Sequence, residues 1–111
     1  MITNNFSSDI RPAAVAGKFY PGHKKELRNS VRNYLQIVEE ESGLKIDLDD
    51  ISVIRMLIVP HAGYIYSGKT AAFAYRLLQK FKKNIRRVLM FGPAHRVWLT
   101  GAAFPEADSF E

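Results

Sequence analysis

The sequence contains no cysteine and no long apolar run, and these two absences narrow what the protein can be. Without cysteine the chain has no disulfide framework, no zinc ribbon and no thiolate nucleophile, so nitrogen or oxygen ligands must bind any metal. No apolar run approaches the roughly 20 residues that cross a bilayer, and Met1–Arg11 lacks the apolar centre of a signal peptide. We therefore expect a soluble, cytoplasmic protein that does not contact membranes.

What the chain does contain is typical of one globular domain: 111 residues, 47% of them hydrophobic, with a formal net charge of +5. This composition excludes a disordered chain. The excess positive charge is concentrated in one cluster near the C-terminal end of a predicted helix, where basic residues complement the helix dipole. Because no helix-turn-helix or aromatic platform accompanies them, no nucleic-acid partner is expected, and such binding remains the weaker alternative. The clustered basic residues are Lys80, Lys82, Lys83, Arg86 and Arg87.

The first regular element of the predicted domain is an amphipathic helix. Residues 1–10 are predicted to form a flexible tail, and residues 11–111 to form part of one α/β domain. From Lys24 to about Glu41, apolar residues recur at three- and four-residue steps with charged residues between them, as an amphipathic helix requires. These apolar residues are Leu27, Val31, Leu35 and Val38.

Two short apolar segments, Val53–Val59 and Val88–Phe91, are predicted to be buried strands, because each is rich in aliphatic residues and stops at proline or Gly-Pro. A helix that opens at Ser67 or Gly68 and runs to about Phe81 connects them. Strand, helix and strand within about 40 residues predict a parallel βαβ core with a right-handed crossover.

A further short strand is predicted over Gly101–Phe104. Even with it, two or three strands and two helices cannot cover both faces of a parallel sheet. We therefore expect the 111 residues to be the N-terminal portion of a larger α/β domain. Its uncovered sheet face would allow self-association.

Two histidines follow the two predicted strands: His61 in Pro60-His61-Ala62-Gly63, and His95 in Gly92-Pro93-Ala94-His95. Ligands of open α/β sheets gather beyond the carboxyl ends of the strands, and neighbouring strands lie about 4.8 Å apart, so two imidazoles could share one metal ion. A metal site normally has three protein ligands, and only two candidates are evident here. Since a histidine at a strand end is also common as an ordinary loop residue, position alone leaves both interpretations open.

Four motifs occur in order along the chain. They are Arg11 with Ala16-Gly17-Lys18-Phe19-Tyr20-Pro21; Pro60-His61-Ala62-Gly63-Tyr64-Ile65-Tyr66-Ser67-Gly68 with Ala71-Ala72 and Ala74-Tyr75; Phe91-Gly92-Pro93-Ala94-His95; and Leu99-Thr100-Gly101 with Phe110-Glu111. Together they resemble the Memo family, also called the AmmeMemoRadiSam system protein B family. The resemblance covers nearly the whole chain from Arg11, but only the first part of a typical family member.

This resemblance implies a fold similar to that of class III extradiol ring-cleaving dioxygenases, with a cleft in which His61 and His95 bind iron or copper. Phe19, where the family usually has tryptophan, and Tyr66 would line the cleft, with Tyr64 beside them. The complete protein would then carry out redox or oxygenase-like chemistry. The remaining ligands of the family lie in its C-terminal part, so the fragment alone is not expected to be catalytically competent.

A second interpretation is a non-catalytic module that binds a small molecule or a peptide in the same cleft. Phe19, Tyr64 and Tyr66 would be its anchors, because aromatic side chains dominate recognition energetics. Tyr64 could equally well pack in the core. Arg96 stands where many family members have a second histidine, and a cation beside a metal ion is unfavourable unless it meets an anionic substrate.

Overall fold

The computed structural model describes residues 9–41 and 53–111, which form two compact units. The helical unit lies within Val15–Val88, and the terminal unit combines the segment that ends at Ala14 with Leu89–Glu111. Residues 1–8 of the predicted tail lie outside the described residues. The elements along the chain are β1 (Ile10–Arg11), α1 (Lys24–Glu41), α2 (Tyr64–Phe81) and β2 (Ser109–Phe110).

Two helices of 18 residues each make up the helical unit. The bounds of α1 are those that its apolar periodicity predicts. Val38 on α1 is only 2% exposed, and Ala72 and Phe81 on α2 are also buried. The helices pack against each other, and the small side chain of Ala72 allows their backbones to approach. Neither helix in the described residues is long and apolar enough to cross a membrane.

The C-terminal turn of α1 is acidic and has no basic residue of its own. Carboxylates at a helix C-terminus face the negative end of the helix dipole, which is unfavourable. The neighbouring helix supplies the missing cations, because Arg76 forms an ion pair with Glu39 and Lys69 forms one with Glu41. Because both pairs are partly exposed to solvent, each contributes at most about 1 kcal/mol to the stability of the fold.

A tight turn, residues 15–22 and here called the hook, precedes α1. The Gly17 N–H donates to the Tyr20 carbonyl at 2.8 Å, and the Phe19 N–H donates to the Val15 carbonyl at 3.0 Å. Gly17 has a φ of +78°, a conformation that side chains disfavour and that glycine adopts without strain. The hook therefore holds the Phe19 backbone in a defined place.

The terminal unit contains the only sheet among the described residues, a parallel pairing of β1 with β2 in which Ile10 lies opposite Ser109 and Arg11 opposite Phe110. Two carboxylates extend the pairing. The Asp108 side chain accepts the Asp9 N–H at 3.4 Å, and the Glu111 side chain accepts the Ala13 N–H at 3.3 Å. The first and last family-like motifs thus meet, with the Arg11 guanidinium 5.8 Å from the centre of the Phe110 ring.

The coarse prediction of helices with a parallel sheet is confirmed, but the sheet is not where the apolar segments predict it. Val53–Val59, Val88–Phe91 and Gly101–Phe104 form no strand in the structure, so the predicted βαβ core needs correction. An apolar run predicts burial, whereas a strand also needs a partner that supplies hydrogen bonds. Within the described residues no layer covers these segments, since Ile58 is 88% and Phe91 80% exposed.

Candidate functional site

His61 lies two residues before the N-cap of α2, in a loop tied to the first turn of that helix. The N-cap is Gly63, whose carbonyl accepts the N–H groups of Tyr66 at 2.9 Å and Ser67 at 3.1 Å. The Ser67 hydroxyl, which is buried, donates to the Ala62 carbonyl at 3.0 Å. Because both residues between His61 and the helix are bonded to its first turn, the exposed His61 has a fixed backbone attachment.

Phe19 of the hook reaches the same turn. The Tyr64 N–H, one of the helix N-terminal donors that have no partner within the helix, donates to the Phe19 carbonyl at 2.7 Å. A Cβ atom at Gly63 would lie 3.3 Å from that carbonyl oxygen and 3.7 Å from Cδ2 of Tyr66. The absence of a side chain at Gly63 therefore lets the hook and α2 approach closely.

The structure thus brings together the three predicted cleft residues, but it gives them different environments. Phe19 is 49% and Tyr66 81% exposed, so both rings are available to a ligand. The partly buried Tyr64 ring instead packs between two other rings, 5.8 Å from that of Tyr20 and 6.3 Å edge-on from that of Tyr34. Burial raises the pKa of the Tyr64 phenol above its ordinary value of 10.0, and the nearby phenols of Tyr75 and Tyr20 raise it further.

Sequence reasoning missed two members of this aromatic cluster, Tyr20 and Tyr34, and also missed the role of Gly68. A Cβ atom at Gly68 would lie 2.8, 3.0 and 3.1 Å from three carbon atoms of the Tyr34 ring. That ring occupies the space that any other residue at position 68 would need. The available signal was the glycine itself, because glycine inside a helical pattern often marks a close approach.

His95 lies in the terminal unit and His61 in the helical unit, and both residues are exposed. Imidazole nitrogen suits iron and copper, so the donor chemistry of both side chains fits such an ion. Residues 9–41 and 53–111 contain no group of three histidine, aspartate or glutamate residues placed to hold a metal. Among these residues neither His61 nor His95 belongs to such a group, and Asp108 and Glu111 use their carboxylates to accept backbone N–H groups.

Comparison with known proteins gives the same family as the four sequence motifs. The family described as Memo-like protein matches residues 11–111. A MEMO1 family protein of Nitrosopumilus maritimus is 38% identical over 86 residues, which cover 78% of this chain and 30% of the relative. The protein memo-1 homolog of Caenorhabditis elegans is 33% identical over 110 residues, which cover 99% of this chain and 28% of the relative.

The MEMO1 family protein MHO1 of Saccharomyces cerevisiae is 35% identical over 104 residues, which cover 90% of this chain and 28% of the yeast protein. The chain therefore spans about 30% of the length of the curated relatives that it matches. No solved structure matches it significantly.

Proposed function

Because the chain belongs to the Memo-like protein family, we propose that His61 and His95 provide two ligands of an iron or copper site in the complete protein. The site would serve redox or oxygenase-like chemistry, on a fold similar to that of extradiol dioxygenases. The observation that carries the proposal is the fixed attachment of His61, whose loop is bonded to the first turn of α2 through Ala62 and Gly63.

The donor set supports iron or copper. Two neutral imidazoles bind either ion and, with one further ligand, leave coordination positions open. Bound iron or copper would supply one-electron chemistry at those positions. The chain's own contribution is to hold the ion through His61 and His95, while Phe19 and Tyr66 would shield the reacting molecule from water.

Metal analysis of the complete gene product tests this proposal. We expect near-unit stoichiometry of iron or copper in the wild type, and loss of most of it in the His61→Ala, His95→Ala double variant. His23→Ala is the matched control, because His23 is exposed and its carbonyl accepts the Leu27 N–H at the start of α1. Unchanged metal content in the double variant, or equal loss in the control, would refute the proposal.

A second candidate, a non-catalytic module for a small molecule or peptide, draws support from the two exposed rings of Phe19 and Tyr66 beside Gly63. Metal-stripped protein can be screened by NMR against a panel of fluorinated aromatic fragments. If this candidate is correct, binding survives removal of the metal and is lost in Phe19→Ala. Phe91→Ala, which removes another exposed ring, is the control. We further propose a cytoplasmic location and self-association of the protein through an uncovered sheet face.

A further inference from the structure

The ring of Tyr34, in the middle of α1, touches the N-terminal part of α2 at two points. It lies against Gly68, where three of its carbon atoms fill the space of a missing side chain. It also meets the Tyr64 ring edge-on, with 6.3 Å between the ring centres and 78° between the ring planes. Edge-on aromatic pairs at this separation contribute stabilisation beyond the area that they bury.

Tyr64 is where the hook, α1 and α2 converge. Its N–H donates to the Phe19 carbonyl and its ring lies 5.8 Å from that of Tyr20, so both groups hold the hook against the helix. On the other side its ring meets Tyr34. Displacement of Tyr64 would therefore be transmitted along the backbone to Gly63, Ala62 and His61.

We infer that Tyr34 is a positioning residue for the loop that carries His61. The inference rests on the proposed function, since it makes Tyr34 a determinant of how His61 presents its imidazole. Metal ligands must be held to within about 0.5 Å of their productive geometry, and removal of residues that hydrogen-bond to the ligands typically changes metal affinity 10- to 100-fold. Only two residues separate His61 from Tyr64, so little backbone is available to absorb a shift of the first helical turn.

Three variants of the complete gene product separate positioning from simple packing. Tyr34→Ala removes the ring, whereas Tyr34→Phe keeps the ring carbons that touch Gly68 and Tyr64. Val38→Ala is the matched control, because Val38 is buried one turn further along α1 and its truncation weakens the core without removing the ring.

The first measurement needs no metal: hydrogen exchange of the Tyr64 amide, followed by NMR and compared with amides in the middle of α2. Tyr34→Ala should raise Tyr64 exchange at least 10-fold more than mid-helix exchange, and Tyr34→Phe should restore wild-type protection. Val38→Ala should raise the exchange rates of the Tyr64 amide and of the mid-helix amides by the same factor. If Tyr34→Ala leaves the ratio unchanged, or if Val38→Ala changes it equally, the inference is wrong.

The second measurement uses copper(II) alone as the probe. We expect Tyr34→Ala to weaken copper binding about 10-fold and to alter the copper EPR spectrum, while Tyr34→Phe and Val38→Ala retain the wild-type spectrum. If copper binding does not depend on His61 in the first place, the proposed function fails, and the hydrogen-exchange result still decides the role of Tyr34. If copper binding requires His61 but is the same in Tyr34→Ala as in the wild type, only the inference about Tyr34 fails.

Discussion

Replacement of Gly68 by alanine tests the packing of α1 against α2 most directly, because two effects of known sign oppose each other there. Alanine is about 1 kcal/mol more favourable than glycine inside a helix. The new Cβ atom, however, would lie 2.8 Å from the Tyr34 ring, about 0.7 Å inside the usual 3.5 Å separation of two carbon atoms. Overpacking of this kind costs about 1 to 3 kcal/mol.

The overpacking cost outweighs the gain in helix propensity, so we expect Gly68→Ala to lower the free energy of unfolding by up to about 2 kcal/mol. In a Tyr34→Ala background the ring is gone, so the same substitution should stabilise the protein by about 0.5 to 1 kcal/mol. A Tyr34→Phe background should preserve the destabilisation, because the three crowded ring carbons remain.

Urea unfolding of the four proteins in this double-mutant cycle provides the measurement. We expect a coupling energy of about 1 to 3 kcal/mol between positions 34 and 68. Gly92→Ala is the control, because a Cβ atom there has nothing within 4 Å and should show no coupling to Tyr34. Equal effects of Gly68→Ala in both backgrounds, within about 0.5 kcal/mol, would refute the described contact.

Three further predictions concern the helical unit. Burial raises the pKa of Tyr64 in the folded protein, so its contribution to stability is complete below pH 10.0 and is lost as the pH rises through the folded-state pKa. Tyr64→Phe should therefore flatten the alkaline fall in melting temperature, and an unchanged fall would contradict the raised pKa. Val38→Ala should lower the free energy of unfolding by about 2 to 3 kcal/mol in urea, from two lost methyl groups and the cavity they leave, and a loss below about 1 kcal/mol would contradict its burial. Arg76→Ala breaks the ion pair with Glu39 and should cost no more than about 1 kcal/mol, a difference that 1 M salt should largely remove.

The helices could be predicted from the sequence because their signals are local. The apolar spacing of α1 predicts its bounds, Lys24 and Glu41, as the structure has them. The start of α2 is less well predicted: the helix begins at Tyr64, three residues before Ser67, because its N-cap Gly63 has no side chain to mark the boundary.

The strands and the aromatic cluster depend on contacts that no local pattern encodes. Val53–Val59 has the composition of a strand, yet composition cannot supply a hydrogen-bonding neighbour. Similarly, the motif around His61 identifies the candidate ligand, whereas the Phe19 carbonyl that fixes the loop lies 45 residues before its donor, Tyr64. Binding of one metal ion by His61 and His95 stays a prediction, which metal analysis of the complete gene product tests.

The short pairing of β1 with β2 has a consequence for the order of folding. It joins residues 99 positions apart, such as Asp9 and Asp108. Closing a flexible loop of that length costs at least about 4 kcal/mol of chain entropy. A handful of exposed hydrogen bonds, each contributing about 1 kcal/mol, barely offsets that cost. The pairing should therefore form late, once the intervening chain has become compact, and its amides should be among the first to open in the native protein.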